Sequence, residues 1–254
     1  MNSINRRDQP RKQRRDPVLR SAAHGPLPGL LLLLTVVTGA VDAVSILRLG
    51  RVFVANMTGN VVFAGFAVVG APGFALGASL VALAGFLLGA AAGGWLAVRR
   101  GGDRSVLLLI TLVAESSLAA VALVIAALGP GTAATGERYS LSVILATTMG
   151  IQNAVARRLA VPDMTTTVLT MTLTGIAADL REGGWRHPAL PRRFLAVGAL
   201  FAGAAVGAKL VLGHGATAAL LFGTVILVLV TLGAVAATTR DHGEWRRAPG
   251  PSGR

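Results

Sequence analysis

The chain has 254 residues, of which 53% are hydrophobic and 14% are charged, and its mean hydropathy is +0.66. A water-soluble domain carries fewer apolar and more charged residues, so the composition predicts an integral membrane protein. The chain has no cysteine, which excludes a disulfide framework, a thiolate metal site and a cysteine nucleophile. With only four histidines as well, we expect no cofactor and no metal.

The formal net charge of +13 would suggest nucleic acid in a soluble protein. Here the basic residues lie at the ends of the chain and between apolar runs, as expected for residues that stay on the cytoplasmic side of a bilayer. We therefore expect the lipid bilayer, and no nucleic acid, as a partner. The predicted location is multi-pass in a bacterial plasma (inner) membrane, with two disordered cytoplasmic tails, 1–26 and 239–254.

Eight apolar segments approach the length of about 20 residues that a helix needs to cross a bilayer. In chain order they cover residues 27–47, 52–69, 74–98, 106–128, 139–156, 164–180, 194–212 and 216–238. The second and sixth are short and polar, and hydropathy alone does not decide whether they cross. The predicted fold is an all-α, polytopic transmembrane helical bundle with six to eight membrane segments.

The positions of the basic residues favour six full crossings. If the second and sixth segments return to the side from which they entered, 20 of the 24 Lys and Arg residues lie on the inner side. If all eight segments cross, that number falls to 16. The first arrangement agrees better with the positive-inside rule, while eight crossings remain the alternative.

An internal repeat indicates how the segments are organised. Three pairs match in order at offsets of 111 to 114 residues: 39–44 with 150–155 (GAVDAV, GIQNAV), 57–60 with 169–172 (MTGN, LTMT), and 89–93 with 203–207 (GAAAG, GAAVG). We interpret the chain as two membrane repeats, 27–128 and 139–238, joined by a linker, 129–138. Three crossings per half would invert one repeat relative to the other, and four would leave them parallel.

Two stretches carry a family resemblance. The run VDAVSILRLGRVFVANMTGN at 41–60, and MGIQNAVARR at 149–158 followed by a threonine-rich stretch, resemble the YoaK-like family of uncharacterised bacterial membrane proteins. The resemblance implies an integral membrane protein with about six helices and supplies no established activity. This chain has Thr170-Met171 where similar members have Thr-Gly.

Ionisable and polar groups at membrane depth mark the candidate site. Each charged side chain there costs about 2.5 to 3.5 kcal/mol on insertion scales, so it should face a polar interior, pair with a cation or be protonated. Glycine between polar residues also suits unwound backbone beside a cavity. The candidate substrate- or ion-binding residues are Asp42, Asn56, Thr58, Gly59, Asn60, Glu115, Gln152, Asn153, Thr166, Thr167 and Thr170.

Glycines at four-residue spacing predict close helix packing. These residues are Gly85, Gly89 and Gly93 in the first half, and Gly203 and Gly207 in the second. Such steps would serve contacts within one chain or a homodimer equally well.

Repeat symmetry and polar segments at matched depth predict a secondary transporter or permease for a small molecule or ion. A non-catalytic membrane scaffold or helper is the alternative, in which the polar groups only fix helix packing. No nucleotide-binding loop, zinc-protease motif or serine-hydrolase motif occurs. We therefore expect that the protein is not an enzyme, with chemistry on lipid as a third, weaker interpretation.

Overall fold

The computed structural model describes residues 24–129, 134–161, 169–240 and 244–246. These residues form eight α-helices, with two short 3-10 helices at Gly184–Arg186 and Glu244–Arg246. The α-helices are α1 (Leu27–Arg48), α2 (Met57–Val68), α3 (Leu76–Arg100), α4 (Arg104–Leu128), α5 (Thr135–Leu159), α6 (Leu169–Gly183), α7 (Leu190–His214) and α8 (Ala216–Arg240). Most of both predicted tails, part of the linker, and the candidate residues Thr166 and Thr167 lie outside the described residues.

Helix length divides the described elements into two groups. Five helices, α1, α3, α4, α7 and α8, are long and apolar enough to cross a membrane, and α5 is equally long at 25 residues but less apolar. The helices α2 and α6 have 12 and 15 residues, hence lengths of about 18 and 22 Å at 1.5 Å per residue. Helix α2 and the described part of α6 are both shorter than a hydrocarbon core of about 30 Å. The predicted all-α polytopic helical bundle is confirmed.

Local sequence signals begin and end several of these helices. Asp103 is the N-cap of α4 and accepts hydrogen bonds from the backbone amides of Ser105 (2.8 Å) and Val106 (3.1 Å). Gly215 separates α7 from α8 with φ of +86°, a value that a residue without a side chain adopts without strain. Pro28 lies in the first turn of α1, where no amide donor is needed.

Two pairs of parallel helices make the most extensive contacts, α1 with α7 and α3 with α5. In the first pair, Val36 lies against Gly203 and Ala40 lies against Gly207. In the second pair, Gly89 lies against Thr147 and Gly93 against Ile151. Residue numbers rise together in both pairs, so the helices of each pair run in the same direction.

The glycines in these pairs bring the backbones into direct contact. A Cβ atom at Gly203 would overlap the carbonyl oxygen of Val36, and one at Gly89 would overlap that of Thr147. Gly39 packs equally closely against α7, and Gly150 packs equally closely against α3. Neither glycine was predicted from the sequence as a packing residue. Such contact provides van der Waals attraction where lipid gives no hydrophobic drive for association.

The helix ends show which segments return to their starting side. The Arg104 side chain contacts His24 and donates hydrogen bonds to the carbonyl oxygens of Leu159 and Trp245. The start of α1, the start of α4 and the end of α5 therefore meet, together with the segment after α8. We call this the terminal end of the bundle.

At the opposite end, Arg48 at the end of α1 donates to the carbonyl oxygen of Val211 near the end of α7 (3.1 Å). Tyr139, in the first turns of α5, lies beside Gly77 at the start of α3. Since α5 finishes at the terminal end, its first turns lie at the opposite end, and the start of α3 lies there beside them. The last turn of α1 is also at the opposite end. Helix α2 therefore connects α1 to α3 without crossing the bundle. The parallel α1–α7 pair places the start of α7 at the terminal end, so α6 does not change ends either.

The helices α1 and α5 lie at the centre of the bundle. In the most apolar stretch of α1, two thirds of the residues are buried, whereas about a third or less are buried in the corresponding stretch of the other four apolar helices. Helix α5 buries residues along its whole length, from Glu137 to Leu159. This position accounts for the lower hydropathy of α5, because a helix enclosed by protein needs no apolar face toward lipid.

Candidate functional site

The connection between α1 and α2 folds back into the bundle. Gly50 and Arg51 have φ of +95° and +56°, which turn the chain sharply after α1. Val52, Val54 and Ala55 are then buried although the backbone there is not helical. Irregular backbone at such depth requires polar partners, because an unpaired amide costs free energy away from water.

Asp42 and Asn60 supply those partners. The Asp42 carboxyl group faces the backbone amides of Val54 and Ala55. The fully buried Asn60 amide accepts a hydrogen bond from the Phe53 amide (2.9 Å) and donates to the Phe53 carbonyl oxygen (2.6 Å). Both predicted site residues thus hold residues 52–55 in place. The Oδ1 atom of Asp42 is buried and lacks a hydrogen-bond partner among the described residues.

An aromatic cluster covers this connection from the outside. The Phe63 ring stacks on Phe53 with centroids 5.7 Å apart and contacts Phe74 at 5.0 Å. A Cβ atom at Gly59 would collide with the Phe53 ring, so glycine is needed there for close packing. Phe66 completes the cluster against Phe74.

A hydrogen bond joins the two central helices. Gln152 of α5 donates through Nε2 to the Thr38 hydroxyl of α1 at 3.0 Å, and both side chains are buried. The Thr38 hydroxyl in turn donates to the Leu34 carbonyl oxygen. The Gln152 Oε1 atom is buried and has no hydrogen-bond partner in the described part of the chain.

Glu115 lies near the middle of α4 and is 0% exposed. Neither carboxyl oxygen has a hydrogen-bond partner among the described residues. The next residue, Ser116, contacts the Thr231 hydroxyl of α8 at 3.2 Å. Ser116 therefore lies on the side of α4 that faces α8, and Glu115 next to it lies within the bundle.

The remaining predicted site residues lie apart from these groups. Asn56, Thr58 and Thr170 are exposed, and Asn153 is half-buried in α5, one residue beyond Gln152. Gln152 therefore contacts α1, and Asp42 and Asn60 contact the connection between α1 and α2. The structure does not place Asn56 or Thr58 inside the bundle. We define the polar interior as Thr38, Asp42, Glu115 and Gln152.

Two features were not identified from the sequence. Thr38 lies in an apolar run, and only its position one turn before Asp42 could have marked it. On the terminal side, Asp179 of α6 pairs with Arg193 of α7 (3.2 Å) and with His187 (3.1 Å). This ion cluster ties α6 to the start of α7. Among the described residues, no group of three or more His, Asp or Glu side chains is arranged to hold a metal.

Long apolar helices with a buried polar interior define a multi-pass membrane protein. Residues 30–233 match the family described as "Protein of unknown function (DUF1275)", and the chain belongs to that family. It is 34% identical over 152 residues to the UPF0700 transmembrane protein YoaK of Bacillus subtilis (strain 168). That match covers 59% of this chain and 66% of the relative, just under two thirds of its length. No solved structure matches. The family resemblance predicted from the sequence is confirmed.

Proposed function

We propose that the protein is a small secondary transporter or permease that performs no covalent chemistry. The observation that carries this proposal is the buried carboxyl group of Glu115, whose two oxygens have no partner among the described residues. A buried charge without a partner is costly, so it marks a functional site by default in a membrane protein.

Matching contacts in the two halves support an inverted repeat. Val36 of α1 packs against Gly203 of α7, and Thr147 of α5 packs against Gly89 of α3. Val36 and Thr147 are 111 residues apart, and Gly89 and Gly203 are 114 residues apart, as in the sequence repeat. Gly39 against Leu200 and Gly150 against Phe86 are related in the same way. Since α1 and α5 run in opposite directions, the halves are inverted. Many secondary transporters rock one inverted half against the other around a central site.

The two short helices fit the same proposal. Helix α2 packs mainly on α3 and α6 mainly on α7, at equivalent positions of the two halves. Each connects two long helices at one end of the bundle. In this arrangement, the connection held by Asp42 and Asn60 closes the interior from the opposite end, and its movement would open that end.

We further propose that the terminal end faces the cytoplasm of a bacterium. The start of α1, the connection after α3, the end of α5 and the segment after α8 lie there. If the rest of the chain follows this topology, 20 of the 24 basic residues lie on the same side. The positive-inside rule favours this orientation in an inner membrane.

Flux measurements on reconstituted protein test the transporter. Proteoliposomes would be supplied in turn with radiolabelled monovalent cations, amino acids and sugars, with wild type compared with Asp42→Asn and Glu115→Gln. Ser117→Ala is the matched control, because Ser117 is exposed on the same helix and its hydroxyl bonds only to the Val113 carbonyl oxygen. We expect uptake of one class of probe by wild type and Ser117→Ala, reduced at least tenfold by Glu115→Gln. Failure of the folded wild type to move any probe would count against transport.

A non-catalytic scaffold is the second candidate, and the Asn60 side chain favours it. Both ends of that amide are occupied by its own connection, as expected for a structural group. A scaffold predicts that Asp42→Asn and Asn60→Ala lower thermal stability in detergent without a separate effect on flux. Transport predicts that Glu115→Gln abolishes flux while the protein remains folded.

A further inference from the structure

Between the two ends of the bundle, the buried ionisable side chains are acidic. Away from the helix ends, the charged side chains of the six long helices are Asp42, Glu115 and Lys209. Lys209 is exposed, which leaves two carboxyl groups between the ends of these helices. Helix α4 packs against α3, α5 and α8, and those three helices carry charged side chains only near their ends. Such an interior attracts a cation and repels an anion.

The two carboxyl groups have different surroundings. Asp42 is half-buried, and its carboxyl group faces the backbone amides of Val54 and Ala55, while its Oδ1 atom has no hydrogen-bond partner among the described residues. Glu115 is fully buried and has no such donors among the described residues. Of the two, Glu115 is the carboxyl group for which the described residues supply no hydrogen-bond donor, so its ionised form is the more costly.

The neighbours of Glu115 on α4 offer a bound ion little coordination. Thr111 and Ala119, one turn away on either side, are small. The Thr111 hydroxyl is already committed to the Leu107 carbonyl oxygen at 2.8 Å. Hard metal cations prefer several oxygen ligands, whereas a proton needs only one carboxylate oxygen.

We propose that Glu115 is a proton-binding site and that the protein moves protons, alone or with a substrate. This inference rests on the proposed function and names its ion. The step is a simple protonation: one carboxylate oxygen of Glu115 takes up a proton and the side chain becomes a neutral acid. The neutral form can lie in the apolar interior without a partner at much lower cost, so the helices can move past one another when the proton is bound.

Infrared difference spectroscopy on protein in liposomes tests the site directly. The carbonyl stretch of a protonated carboxyl group is read while the pH is raised and lowered, and again in D₂O. We expect a band that titrates with pH, shifts in D₂O, is absent in Glu115→Gln and persists in Ser117→Ala. A band that belongs to Glu115 but neither titrates nor shifts would overturn the proposal, since the acid would then be a fixed structural group. Loss of the band on adding sodium at constant pH would overturn it in favour of a metal cation.

A second measurement separates this inference from the proposed function. Liposomes containing a pH-sensitive dye would report proton entry driven by an imposed potassium-diffusion voltage. We expect proton flux in wild type and Ser117→Ala that falls at least tenfold in Glu115→Gln. If labelled substrates cross but Glu115 does not titrate, the transporter stands and the proton site fails. If Glu115→Gln does not fold, Glu115→Asp provides the comparison, with a retained but displaced acid band.

Discussion

In the α1–α7 and α3–α5 pairs, backbone packs directly against backbone, whereas in the polar interior the carboxyl group of Glu115 is buried without a hydrogen-bond partner among the described residues. The pairs gain van der Waals contact, and each also has a hydrogen bond between its helices, from Thr147 to the Gly85 carbonyl oxygen and from Arg48 to that of Val211. The interior loses free energy at Glu115 and Gln152, because polar atoms there have left water without full compensation. The difference separates the regions that stabilise the fold from the region available for function, and substitutions in the two should have different consequences.

The largest effect is expected at Gly203. A Cβ atom there would overlap the Val36 carbonyl oxygen, so Gly203→Ala must push α1 and α7 apart along much of their length. We expect a loss of about 3 kcal/mol or more, or failure to assemble, from overpacking. Thermal unfolding in detergent would measure it. The control is Gly198→Ala on the same helix, where a Cβ meets nothing within 4 Å. Equal stabilities of the two variants would show that the pair is not tightly packed.

The α3–α5 pair offers a sharper version of the same comparison. Gly89 packs against Thr147 in the same way as Gly203 packs against Val36. Gly89→Ala should therefore lower the free energy of unfolding by the same amount as Gly203→Ala, within about 1 kcal/mol. Gly94→Ala is the control, because the space beside Gly94 is open. A large effect in one half and none in the other would remove the support that these contacts give to two equivalent halves.

A moderate effect is expected at Asn60. Asn60→Ala removes both hydrogen bonds to Phe53 and leaves the partly buried amide and carbonyl groups of Phe53 without these partners, at a cost of about 1 to 3 kcal/mol. Hydrogen exchange should become faster at the Phe53 amide and its neighbours in 52–55. Asn56→Ala, which changes an exposed side chain, should leave exchange there unaltered. Unchanged protection in Asn60→Ala would mean that other contacts hold the connection.

The smallest effect is expected at Thr38. Thr38→Val keeps the shape of the side chain but removes the acceptor for Gln152, at a cost of about 1 kcal/mol. Thr35→Val is the control, because the buried Thr35 hydroxyl bonds only to the Leu31 carbonyl oxygen of its own helix. Thermal unfolding of both variants gives the difference. If the two variants are equally stable, the bond between the central helices contributes nothing measurable.

Hydropathy and glycine spacing predicted much of this architecture, because apolar length and small residues act through local geometry. The segments of the short helices α2 and α6 were ambiguous, because they are short and polar, and only the contacts of the flanking helices show where they lead. Asn56 and Thr58 were grouped with Asn60 because all three are polar and adjacent. Only the turn at Gly50 and Arg51 decides that Asn60 points inward and that the other two are exposed. Thr38 was missed because a single threonine in an apolar helix has no sequence signature.

Labelling of single cysteines from each side of the membrane tests the inverted arrangement most directly, and this cysteine-free chain needs no background removed. The variants are Arg51→Cys and Pro72→Cys on either side of α2, and Gly102→Cys and Arg157→Cys at the terminal end, all at exposed positions. We predict that the first two label from one side and the last two from the other. Labelling of Arg51→Cys and Pro72→Cys from opposite sides would mean that α2 crosses the membrane, and would contradict two inverted halves of three crossings each.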